Sequence, residues 1–156
     1  MALALKFDID GIDSVQSVIR QGIAGYAIDS LVPRGMSTVW LFLGDDTILK
    51  IHTKMTDTVG WNEVGTLVFR PVVKGDDVPE MTPLPQAWRN VAAVEKLLVV
   101  EGDFSAESGL QISNGLGEAF TIVCSENVYQ IEIAAPFFHG EFLPEYELAH
   151  YKRVPM

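Results

Sequence analysis

The sequence predicts an α+β fold: a mainly antiparallel sheet built from two hairpin or meander blocks, with one N-terminal helix packed on it. Three observations carry that expectation. A capped amphipathic stretch occurs once, near the N-terminus. From residue 38 onward the apolar runs are short, rich in β-formers and bounded by turn residues. The connections between those runs are too short for the crossovers a parallel sheet requires.

Residues 2–9 alternate loosely and read as a first strand, with Leu3, Leu5, Phe7 and Ile9 on one face. Asp13, with Gln16 three residues on, has the spacing of a helix N-cap. Val15, Ile19, Ile23 and Tyr26 then form one helical stripe, with Val18 beside it. Gly22 and Gly25 weaken that helix and mark its end. Residues 38–53 read as a hairpin: Thr38 to Leu43 is one strand, Gly44-Asp45-Asp46 turns the chain, and Thr47 to Thr53 returns. Both faces of the first of these strands are apolar, which places it centrally, under the helix. Residues 64–73 give a third strand, whose Pro71 belongs at an edge or bulge.

Residues 74–87 carry three prolines and a Gly-Asp-Asp turn, and read as a long loop. Residues 88–93 could hold a helical turn. A second series follows: Val94–Glu101, Gly109–Ser113, Glu118–Cys124 and Val128–Ile133, an antiparallel meander joined by Asn114–Gly117 and Ser125–Asn127. The last segment, 136–156, mixes aromatics with carboxylates. One domain over residues 1–156 is the expectation for a chain of this length.

Composition narrows the class. The single cysteine, Cys124, excludes an intrachain disulfide, and its apolar neighbours Phe120 to Val123 predict a buried small hydrophobe. The N-terminus lacks the basic start and long apolar stretch of a signal peptide, and the apolar runs fall short of a membrane span, so cytoplasm is the expected compartment. The pentapeptide Leu31-Val32-Pro33-Arg34-Gly35 matches a protease site used in expression tags and reads as a chance match.

The net charge of −10 is unevenly spread. Residues 1–74 hold eight acids and seven bases, whereas 75–151 hold thirteen acids and only Arg89 and Lys96; Lys152 and Arg153 follow. A surface of that sign disfavours nucleic acid and anionic membrane as partners. It favours a basic protein, whose encounter it would speed and orient.

The motif Lys6-Phe7-Asp8-Ile9-Asp10-Gly11 resembles the first motif of haloacid-dehalogenase-like phosphatases, in which an apolar strand ends in Asp-x-Asp-Gly. The resemblance is confined to this motif, and Ile12 stands where that family usually has Thr. It implies Asp8 as phosphoryl nucleophile and Asp10 as acid/base, with a further carboxylate holding Mg²⁺. Asp8, Asp10 and Asp13 do not have the spacing of a calcium loop. His52, His139 and His150 show no zinc spacing. Trp40, Trp61 and Trp88 form no periodic cage that would name a ligand.

The remaining constellation is Phe137, Phe138, Glu141, Phe142, Glu145, Tyr146, Glu147 and Tyr151, aromatic anchors inside an acidic rim. The leading expectation is therefore a non-catalytic acidic protein-binding module, most specifically an immunity or antitoxin protein that neutralises a basic toxin domain. Its partner-binding residues would be Glu141, Glu145, Tyr146 and Glu147, with Asp76, Asp77 and Glu80 second. No catalytic residue, cofactor or metal is expected in that role, and homo-oligomerisation is left open. The alternatives are a metal-dependent phosphohydrolase using Asp8 and Asp10, and a sheet domain that binds a small molecule between helix and sheet.

Overall fold

A computed structural model describes residues 3–29, 35–58, 63–75 and 77–156. The chain visits two sheets within its first nine residues. β1 (Leu3–Leu5) runs parallel to β9 (Phe104–Asn114), and β2 (Asp8–Ile9) runs parallel to β6 (Glu63–Val72). The single strand expected over 2–9 is thus two short ones in different sheets.

The expected helix is one short element, α1 (Val15–Ile19), capped by Ser14, not Asp13: the Ser14 hydroxyl accepts the Ser17 N–H at 3.2 Å. Gly22, at φ +97, ends the helical stretch in a conformation other residues avoid. Ile23 and Tyr26 belong to a strand, β3 (Ile23–Ile28). Its register shifts between Ile23 and Gly25. A bulge there turns the two-residue strand period into a three-residue step, so inward residues 23 and 26 imitate a helical stripe.

The N-terminal sheet has the order β2-β6-β5-β4-β3-β7, where β4 is Val39–Leu43, β5 is Ile48–Asp57 and β7 is Thr82–Pro83. The 44–46 turn forms as expected: Asp46 takes φ +65, and Asp45 accepts the Thr47 N–H at 3.1 Å. β4 is central, as its two apolar faces predict. Pro71 pairs opposite Leu49 on a stretch of β6 that β2 does not pair with, so its missing N–H costs no bond to β2. The C-terminal sheet has the order β11-β10-β9-β8-β12, with β1 beside β9; β8 is Val91–Glu101, β10 Ala119–Cys124, β11 Ile131–Ala134 and β12 Lys152–Pro155. The antiparallel meander is the one expected, but β9 starts at Phe104 and β12 adds a strand from the tail. The protein is mostly strand, in two largely antiparallel sheets, with little helix. The two mainly antiparallel blocks are those expected, whereas the helical part of the α+β expectation is reduced to one five-residue helix and short 3-10 turns.

The inner faces share one core. Val39, Leu41, Leu49, Ile51, Leu67 and Phe69 of the N-terminal sheet meet Leu110, Ile112, Phe120, Ile122 and Ile133 of the other, and α1 adds Val15 and Ile19. Each such side chain contributes roughly 1.5–3 kcal/mol on burial. Trp88, brought in by a 3-10 turn at Gln86–Arg89, meets Phe120 and Phe137 edge-on at 6.0 and 5.6 Å. The outer faces are covered by chain expected to be irregular. Val78, from the expected 74–87 loop, packs with Trp40, Phe42, Ile48 and Val72 outside the N-terminal sheet. Phe142, Tyr146 and Tyr151 of the tail pack on Leu97, Val99 and Val123 outside the C-terminal sheet. No described helix is long and apolar enough to cross a membrane.

Candidate functional site

The tail's position is set by two contacts at the corner where the sheets meet. The Glu145 N–H donates to the Cys124 carbonyl at 2.9 Å, and the Glu145 carboxylate accepts the Gly65 N–H of β6 at 3.1 Å. This carboxylate points inward and has no cationic partner among the described residues, and burial pushes its pKa from the ordinary 4.5 up to about 7. Tyr146 is half-buried. Its ring stacks on His150 at 5.3 Å and meets Tyr151 edge-on at 6.2 Å. His150 in turn reaches Glu101 at 3.0 Å. Phe137 and Phe138 pack on Tyr26 in the core. Among the tail residues singled out from sequence, Glu141 and Glu147 present exposed carboxylates.

Asp77 and Glu80 are exposed on the segment that covers the other sheet, and Asp76, Trp61 and residues 31–34 lie outside the described residues. Asp77 and Glu80 therefore lie over the N-terminal sheet, on a different segment from the tail acids.

Beside Glu141 stands a set of residues the sequence reading missed. The β10–β11 connection is longer than expected, because β11 begins at Ile131 and leaves Val128 and Tyr129 in the turn. Tyr129 is 62% exposed and Val128 52%. Tyr129 also adopts φ +62, a left-handed conformation uncommon for a bulky residue. The turn is held by the Gln130 N–H on the Asn127 carbonyl at 3.2 Å and is tied to the tail by the Glu126 N–H on the Leu143 carbonyl at 3.0 Å.

Between turn and tail lies a cleft of about 280 Å³, lined by Asp29, Asn127, Gln130, Glu132 and Glu141 among others. Asp29 is fixed by the N–H groups of Ser37 and Thr38 at 2.9 and 2.8 Å and by the Ser37 hydroxyl. Glu132 is only 6% exposed and accepts the Leu143 N–H at 3.0 Å. Burial, with Glu141 and Glu126 close by, raises its pKa. Among the described residues no cation pairs with any of these carboxylates.

No protein-family model, no curated protein and no solved structure matches this chain.

The residues of the phosphatase-like motif have other engagements. Asp8 accepts from Arg70 at 2.7 Å, with Lys54 at 4.0 Å, and this pairing holds its pKa below the ordinary value. It sits on a two-residue edge strand, and Asp10 lies beyond that strand with an exposed side chain. The described residues contain no group of three His, Cys, Asp or Glu placed to hold a metal. Cys124 is 1% exposed, and burial raises its thiol pKa well above the usual range, which suits the expected hydrophobe. At the junction of helix and sheet, Val15 and Ile19 are fully buried.

Proposed function

We propose that this chain is a non-catalytic binding module for a basic protein, of the kind represented by immunity and antitoxin proteins that neutralise a cationic toxin domain. The observation that carries the reading is the exposed Tyr129, on left-handed backbone in the turn whose Asn127 and Gln130 line the acidic Asp29–Glu132–Glu141 cleft. Left-handed backbone at a bulky residue costs about 1–3 kcal/mol and persists where its surroundings fix it, often at binding sites. Tyrosine is a favoured interface anchor, because it buries a large ring with little entropy to lose. The carboxylates around it would steer a cationic surface into register and repel wrong partners. Glu126, Tyr129 and Glu141 form the centre of this face; Glu147 extends its acidity along the tail. Glu145 and Tyr146 act from behind it, holding the tail in place.

The test is capture of the partner from the native host, followed by titration with variants. Tyr129→Ala should weaken binding about tenfold or more, equivalent to ~1.4 kcal/mol. Glu126→Lys combined with Glu141→Lys should slow association and remove most of its dependence on salt. A captured partner that binds both variants as tightly as the parent chain would sink the proposal.

A further inference from the structure

The acidic half of the molecule has a counterpart. β5 alternates strictly: Leu49 and Ile51 enter the core, so Lys50, His52 and Lys54 stand on the outer face of the N-terminal sheet. Arg70 joins them from β6, directly opposite Lys50 in the ladder. Asp8, the carboxylate paired on this face, is taken up by Arg70 and Lys54. Lys50 and Lys74 make no ion pair among the described residues. Burial, aided by the charges of Lys50 and Arg70, holds the His52 imidazole below its usual pKa, as a positive surface should.

At one end of this face, residues 73–75 and 77–78 fold over the sheet and leave a cleft of about 710 Å³ beneath them. Its floor is apolar: Trp40, 7% exposed, with Pro71, Val72 and Val78. Its polar lining is Lys50 and Lys74, with Asp77 on the covering segment. The volume lies within the range of small-molecule sites, roughly 300–1,000 Å³, and an apolar lining with a few charged groups is their usual composition.

We propose that this cleft binds a small aromatic organic anion, its ring against Trp40 and Val72 and its acid group between the ammonium groups of Lys50 and Lys74. Among the described residues the lining carries two lysines and one acid, a balance that favours an anion over a neutral or cationic analogue. The site lies outside the opposite sheet from the tail, and it stands or falls independently of the protein-binding reading.

The probes are 2-naphthoate, neutral 2-naphthol and cationic 2-naphthylmethylammonium, titrated into the full chain. Binding is followed by calorimetry and by NMR shifts of the Trp40 indole and the amides of residues 72–75. The expected result is saturable binding of naphthoate with shifts concentrated there, and binding of the ammonium analogue at least about tenfold weaker. The double variant Lys50→Gln and Lys74→Gln should lose about tenfold in naphthoate affinity while its affinity for naphthol stays within about twofold. Failure of millimolar naphthoate to shift Trp40, equal affinity for anion and cation, or an unchanged naphthoate affinity in the double variant would each overturn the proposal. Comparing the probes on the parent chain requires no substitution, so the test survives a variant that fails to fold.

Discussion

Gly65 shows how closely single atoms set the corner between the sheets. β2 covers β6 only at Val68 and Phe69, so the edge at Gly65 is open to the other sheet. Its N–H goes to Glu145 and its carbonyl accepts the Ser108 hydroxyl. A methyl group in place of its hydrogen would lie 2.7 Å from the Cys124 sulfur. Gly65→Ala should therefore cost about 1–3 kcal/mol, the usual penalty of overpacking, in urea denaturation. Gly75→Ala, where nothing lies within 4 Å, is the control and should cost far less. Thr53 gives the converse case. Its hydroxyl is buried on the core face of β5 without a partner among the described residues. Thr53→Val keeps the shape and removes the unsatisfied group, so it should stabilise the protein by about 1 kcal/mol. A loss of stability in that variant would mean the hydroxyl has a partner in solution.

At the scale of elements, legibility followed local chemistry. The β4–β5 hairpin was readable because its turn residues and β-formers agree. The β8–β9 pairing was readable only in part. Residues 104–108 carry Ser105, Glu107 and Ser108, which look like loop, yet Glu107 and Ser108 are buried because they face other chain segments rather than water. Glu107 accepts the Phe7 N–H at 2.7 Å and the Lys96 ammonium at 2.7 Å, and so ties the N-terminal crossover to the C-terminal sheet. No local pattern announces a partner one hundred residues away in sequence. Glu107→Ala strands both donors and should cost about 2–3 kcal/mol, more than removal of an exposed acid such as Asp103. The β3 bulge is a second limit of this kind, since strand pairing, and not periodicity, decides which way Tyr26 faces.

Across the whole molecule the sequence showed where the acids are, but not which of them reach water. Of the twelve described acids in 75–151, Glu107 and Glu132 are buried and Glu95, Glu118 and Glu145 are half-buried, while Glu126 gained importance only when folding set it, with Glu141, close to Glu132. The inward acids have a consequence for the response to pH. Glu145 joins the tail of one sheet to β6 of the other, and its folded pKa of about 7 exceeds the ordinary 4.5. Between those values the folded state holds a proton that the unfolded state has released. Its contribution to stability is therefore complete below about pH 4.5 and is lost as pH rises through about 7. Glu132, also raised, acts in the same direction. His52 acts in the opposite one: its lowered pKa gives stability above the ordinary 6.5 that is lost as pH falls. The measurement must cancel His52, and the difference between the parent chain and Glu145→Gln does so. The amide keeps an acceptor for the Gly65 N–H without a charge to bury. The two proteins should melt together near pH 4.5, and the variant should melt higher by pH 8, with the gap opening through about pH 7. A melting difference that does not change with pH would place the Glu145 carboxyl in water and remove its role in joining the sheets.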